Sequence, residues 1–108
     1  MYFNFTPSLS VSVSEAAQKV TESNVALVDV RTHSEYITGH AKGAINIPLS
    51  SLSDDDISKL KQYKEVYVIC QSGARSASAT RVLKAHGVNI INVSGGTLAW
   101  RSLGLPME

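Results

Sequence analysis

Among 108 residues the sequence has a single cysteine, Cys70. An internal disulfide is therefore excluded, and a lone free thiol fits a reducing compartment, so a cytoplasmic setting is expected. Neither sign of charge dominates: ten Lys and Arg against nine Asp and Glu leave a net charge of +1. That balance argues against nucleic acid or an acidic membrane as partner. No apolar run approaches the roughly eighteen residues that a membrane-spanning helix needs. The opening Met1–Phe5 has no basic segment ahead of an apolar run, so no signal peptide is expected. The three histidines, His33, His40 and His86, show no metal-ligand spacing among themselves or with Cys70. Asp54, Asp55 and Asp56 are consecutive, so on a helix they diverge and read as a solvated first turn. No metal and no cofactor is expected. Internal repeats and linkers are absent as well, which argues for one domain over residues 1–108.

What is present is an alternation of strand-like and helix-like segments, with a hydrophobic fraction of 44% that suffices for a core. Residues 1–9 show no clear period and read as an N-terminal edge segment. Ser12 and Glu15 have capping-box spacing, and Val13, Ala16, Ala17 and Val20 follow at helical intervals. Val25–Val30 reads as a strand buried on both faces, with Asp29 and Arg31 at its end. Thr32–Glu35 is a second capping box opening a short helix that Gly39 closes. Ala44–Ile47 reads as a strand, Ser53 as the cap of a helix with acids in its first turn, and Asn89–Val93 as a last strand. Gly95-Gly96, which permit a tight turn or a close backbone approach, then lead into a short helix carrying a core Trp100. The expected fold class is α/β, with a mostly parallel central sheet and helices on both faces.

The most informative stretch is Val66 to Ser76. An apolar, β-branched run ends at Cys70; Gln71, Ser72, Gly73, Ala74, Arg75 and Ser76 follow; a helical pattern with Ala79, Val82, Leu83 and His86 on one face comes next. A strand, a short loop and a helix start together present unpaired N–H groups and the positive end of a helix dipole. A loop of small residues can curl further N–H groups inward as an anion-binding nest. A cysteine held there ionises easily: a free thiol near pKa 8.5 falls to roughly 3.5–7.5 in such surroundings. The dipole supplies at most about 2 kcal/mol, or about one and a half pKa units, so the remainder must come from amide hydrogen bonds to sulfur. The opposing reading is an inert core thiol. A side chain sealed from solvent, or one of ordinary acidity, would remove the case for a reactive thiol.

Cys70-Gln71-Ser72-Gly73-Ala74-Arg75-Ser76 closely resembles the active-site loop of rhodanese-like domains. Asp29-Val30-Arg31, Glu35-Tyr36, Gly39-His40 and Gly43–Pro48 resemble the family's first signature block, and Gly95-Gly96, Trp100 and Gly104-Leu105-Pro106 its closing block. The likeness runs from about residue 10 to Pro106, with one departure: Ala41 stands where a larger aliphatic residue is more usual, a difference of packing. The resemblance implies a sulfurtransferase. Cys70 would attack the outer sulfur of a donor such as thiosulfate and become a persulfide, which a thiol or cyanide acceptor then discharges. Backbone N–H groups from Gln71 through Ser76 would stabilise thiolate, persulfide and leaving anion. A thiolate needs no partner base for this. With no second cysteine to resolve the persulfide, the acceptor must be external, and a protein persulfide is a further possible partner.

Two alternatives are weaker. A tyrosine phosphatase or arsenate reductase uses Cys-x5-Arg, whereas four residues separate Cys70 from Arg75, a narrower ring suited to one sulfur atom. A non-catalytic interaction or sulfur-sensing module on the same fold would not need to retain the cysteine. Arg75 has two readings, binding an anionic donor at the loop mouth or extending outward into solvent; its poor match to the helix dipole favours the first. Asp29 and Arg31 read as structural support through hydrogen bonds and an ion pair, and Glu35 is another possible partner for Arg31. His40 is expected to hydrogen-bond within its turn, and His86 to lie on the inner face or rim of its helix. The oligomeric state is open.

Overall fold

The period-2 alternation of the apolar runs decides the architecture. A computed structural model describes residues 10–108; the edge segment expected over 1–9 lies outside them. In chain order the elements are β1 (Ser10–Val11), α1 (Val13–Lys19), β2 (Val25–Asp29), α2 (His33–Ile37), β3 (Ile45–Asn46), α3 (Asp54–Leu60), β4 (Glu65–Ile69), α4 (Ala74–Ala85), β5 (Ile90–Val93) and α5 (Gly96–Ser102). The five strands form one parallel sheet in the order β1-β5-β4-β2-β3. Because all pairs are parallel, each crossover carries its helix across a face, and both faces are covered.

Side chains one residue apart on β4 point to opposite layers. Val66, Val68 and Cys70 pack with Leu60 of α3 and Ala79 and Leu83 of α4. Tyr67 and Ile69 pack with Val13 and Ala16 of α1 and Trp100 of α5. Cys70 thus continues the alternation one residue past the strand end, which turns its sulfur towards the α4 layer. The order also sets a topological switch point. The chain leaves β2 towards β3 on one side and leaves β4 towards β5 on the other, so a crevice opens between the carboxyl ends of β2 and β4. Asp29 ends β2 with Arg31 just beyond it, and Cys70 follows β4, so the two segments 40 residues apart meet there.

Local expectations needed four corrections. Ser12 accepts the N–H of Glu15 at 3.2 Å, but among the described contacts the return bond is not made, so α1 has half a capping box. Thr32–Glu35 and Ser53–Asp56 make both arms. The strand expected over Ala44–Ile47 is reduced to Ile45–Asn46, because Ala44 spends its N–H on a turn bond to Ala41. On α4 the inward face is Ser76, Ala79, Thr80 and Leu83, while Val82 is 43% exposed. His86 is likewise exposed and bonds only the carbonyl of Val82, since the helix faces the sheet with small residues near its start. Ala41 is fully buried and bridges Met107, so the smaller residue is accommodated by the chain's last turn closing over it.

Candidate active site

The loop after β4 is shaped by what its carbonyls do. The Cys70 carbonyl oxygen accepts the Thr97 N–H at 2.8 Å and its hydroxyl at 3.0 Å, and the Gln71 carbonyl accepts the Leu98 N–H at 3.1 Å. The first turn of α5 thereby holds both carbonyls on its own side, leaving the loop's later N–H groups to turn inward. Gly73 then caps α4 in the left-handed region, φ +107°, which a side chain rarely adopts. Its N–H donates to Cys70 Sγ at 3.0 Å. Burial pushes the Cys70 thiol up, but the hydroxyl and N–H of Ser76 and the N–H groups of Gly73 and Ser72 pull it down further. The pKa therefore settles below the ordinary thiol value. The Ser76 hydroxyl also lies 3.1 Å from the Gly73 carbonyl. It has one proton for two acceptors, so it can swing to the sulfur once the thiolate forms.

Reachability is a different matter. Cys70 is 1% exposed, against the expectation of an open thiol. The alternation along β4 turns residue 70 into the buried layer of Val68, Ala79 and Leu83, and the Gly73 amide closes on the sulfur from the loop.

Close approach is enforced at Gly96. A Cβ built there would lie 2.5 Å from the Cys70 oxygen and 2.7 Å from the Gln71 carbonyl carbon, and φ is +59°. Gly96→Ala is therefore expected to push the loop off its clamp, costing about 1–3 kcal/mol of stability. Cysteine alkylation rates against pH should show the thiol's inflection moving towards that of a free thiol. An unchanged inflection would mean that the clamp does not shape the cradle.

Two arginines brace the loop, each committed to a carboxylate. Arg31 is buried, with Nε 3.0 Å and Nη2 2.8 Å from the Asp29 carboxylate; it also donates to the Gly39 carbonyl at 2.8 Å and to Gln71 Oε1 at 3.2 Å. Arg75 makes neither of the two expected uses of its charge: its side chain is 41% exposed, yet the guanidinium is committed to Glu35. It donates Nη1 and Nη2 to the two Glu35 oxygens at 2.7 and 2.8 Å. The partner considered for Arg31 thus belongs to Arg75, because Asp29 already occupies the Arg31 fork. The Arg75 hydrogen bonds hold Glu35 down at about 2, helped by Thr32 and opposed by burial.

A family model described as Rhodanese-like domain matches residues 12–103. The chain belongs to the rhodanese-like domain family. Thiosulfate sulfurtransferase 16, chloroplastic, of Arabidopsis thaliana is 37% identical over 111 residues, with 92% of each chain covered. An HTH-type transcriptional regulator of Mycobacterium tuberculosis is 31% identical, covering 95% of this chain but 46% of the regulator. With two further curated relatives covered over 46% and 49%, the chain spans about half the length of several proteins it matches. The crystal structure of a rhodanese-related protein from Thermoplasma volcanium superposes with a TM-score of 0.82 at 33% identity, covering 93% of this chain and 97% of that one.

Within this rhodanese-like domain the sequence reading missed Thr97. Its signal was only a threonine after two glycines, and its role needs the loop carbonyls that lie 27 residues away. The histidines stand apart from the sulfur's bonding. His40 stacks on Tyr36 at 3.7 Å and bonds the Tyr36 carbonyl, and His33 faces Asn46. Among the described residues no helix is long and apolar enough to cross a membrane.

Proposed function

We propose that this rhodanese-like domain is a sulfurtransferase that carries sulfane sulfur on Cys70. The observation that carries the reading is the Gly73 N–H donated to Cys70 Sγ at 3.0 Å, within a loop whose carbonyls are held outward by α5. With thiosulfate, the Cys70 thiolate forms a bond to the outer sulfur. The bond from that sulfur to the sulfite sulfur breaks, and sulfite leaves with the electron pair. Cys70 keeps the persulfide anion, and an external thiol or cyanide takes the terminal sulfur and regenerates the thiolate. The names of relatives such as the Arabidopsis thiosulfate sulfurtransferase agree with this donor class. The lone cysteine suits a reducing, cytoplasmic setting. Since Cys70 is 1% exposed, loading requires the structure around the sulfur to open for the donor.

Intact mass after exposure to thiosulfate and to a small hydropersulfide tests the reading. The expected result is one added sulfur on Cys70 that excess thiol removes. Loading should rise with pH through the thiol's pKa, below the range of a free thiol, because the nucleophile is the thiolate. Ser76→Ala removes the hydroxyl that stabilises it, so the rise should shift to higher pH, with about tenfold slower loading at neutral pH. A protein that stays unmodified with every donor would favour the second reading, a sensing or interaction module, which the 1% exposure of Cys70 supports.

A further inference from the structure

We propose, resting on the sulfurtransferase reading, that the Glu35–Arg75 pair sets the choice of donor. It favours a hydropersulfide, R–S–SH, whose reacting end bears at most one negative charge, over the thiosulfate dianion. Three features of the loop lead there. Both arginines that touch it are already neutralised: Arg31 by Asp29, and Arg75 by Glu35 in a two-point fork at 2.7 and 2.8 Å. The Glu35 carboxylate is itself fixed in place, accepting the N–H of Thr32 at 3.2 Å and its hydroxyl at 3.1 Å in the capping box of α2. The pair therefore does not rely on Arg75 alone for its position, and it stays charged at neutral pH because Glu35 is held down at about 2.

What remains to receive a donor is a set of amides already satisfying one negative sulfur. Thiosulfate brings two more charges onto the thiolate, and the complex then holds three negative charges with no unpaired cation on the loop itself. A hydropersulfide reacts with less charge. The thiolate bonds to the outer sulfur, the bond to the carbon-borne sulfur breaks, RS⁻ leaves with the electron pair, and Cys70 holds the S–SH group. Arg75 lies in the first turn of α4, two residues past the Gly73 whose N–H donates to Cys70 Sγ, so its guanidinium, if released from Glu35, would act on a donor at that sulfur. The two side chains are 41% and 34% exposed, so the pair stands at the surface beside the start of α4, a rim open to a donor in solution. Arg101 is a third arginine near this rim, exposed on α5 with its guanidinium beside Gly39.

The experiment compares single-turnover loading of Cys70 from thiosulfate and from the hydropersulfide of 2-mercaptoethanol, whose carrier group is uncharged. Both donors meet the same thiolate, so their rate ratio does not depend on the thiol's acidity or on the folded fraction. Glu35→Gln keeps the cap, since glutamine serves at that position, and frees Arg75. Wild type is expected to load faster from the hydropersulfide. E35Q should move the ratio about tenfold towards thiosulfate, more at low salt than at high. Arg75→Gln, leaving Glu35 unopposed, should move it the other way, and the double variant should return near wild type. A ratio unmoved in E35Q, or a double variant that keeps the E35Q ratio, overturns the inference. So does Arg101→Ala, if it alone abolishes thiosulfate use in the wild type. Wild type that loads from neither donor overturns the sulfur-transfer reading and this inference together; loading with an unmoved ratio overturns this inference alone.

Discussion

Cys70→Ser is expected to take up no sulfur from any donor while remaining folded. Serine preserves the shape of the side chain and its direction, because the alternation along β4 turns residue 70 towards α4 whatever its chemistry. The Gly73 N–H can donate to the hydroxyl as it does to the sulfur. What is lost is ionisation. An amide cradle lowers a pKa by a few units, enough to bring a thiol into the working range and far too little for an alcohol, which needs an adjacent general base to act as a nucleophile. Among the described residues the histidines are engaged elsewhere: His40 is stacked on Tyr36, His33 faces Asn46, and His86 bonds the Val82 carbonyl at the far end of α4. Loading measured by intact mass should fall below detection, and the unfolding midpoint should move by about 1 kcal/mol or less in stability. Sulfur uptake by the serine variant under conditions that load wild type would place the carrier elsewhere and dismiss Cys70.

How much of this was legible depends on the range over which residues act. The strand and helix alternation and the caps at Thr32 and Ser53 are local, and they read directly from spacing and residue type. The family was legible for the same reason, since its signature residues cluster in short blocks. Pairings were not. Arg31 and Arg75 are both arginines just past strand ends, each within a few residues of a carboxylate or a strand terminus. Only the β2–β4 adjacency shows that Glu35, 40 residues from Arg75, is its partner and that Asp29 belongs to Arg31. Helix faces were legible only where residues are large. The start of α4 packs through Ser76, Ala79 and Thr80, which hydropathy does not mark, so Val82 and His86 were drawn inward incorrectly. The burial of Cys70 could not be read at all. The alternation that turns the sulfur into a buried layer also brings it to the loop's amide, and sequence does not say which effect dominates.

The brace between the two strand ends should dominate stability. Arg31→Ala is expected to cost about 3–5 kcal/mol, because it strands a fully buried carboxylate. Asp29 would keep a single described donor from residue 31, the backbone N–H at 3.0 Å, in place of the guanidinium fork. The Gly39 carbonyl and Gln71 Oε1 would each lose a donor too. In a domain of this size the midpoint of thermal unfolding should drop by about 10–30 °C. Replacing both members with well-packed apolar residues should recover much of that loss, since no buried charge is then left without a partner. The variants separate support from chemistry. The double replacement should regain stability yet load sulfur more slowly than wild type, because Gln71 no longer has the anchor that fixes the loop's entrance to β2. If it loaded at the wild-type rate, Arg31 would be a stabilising residue only, and the loop would owe its shape to α5 and Glu35 alone.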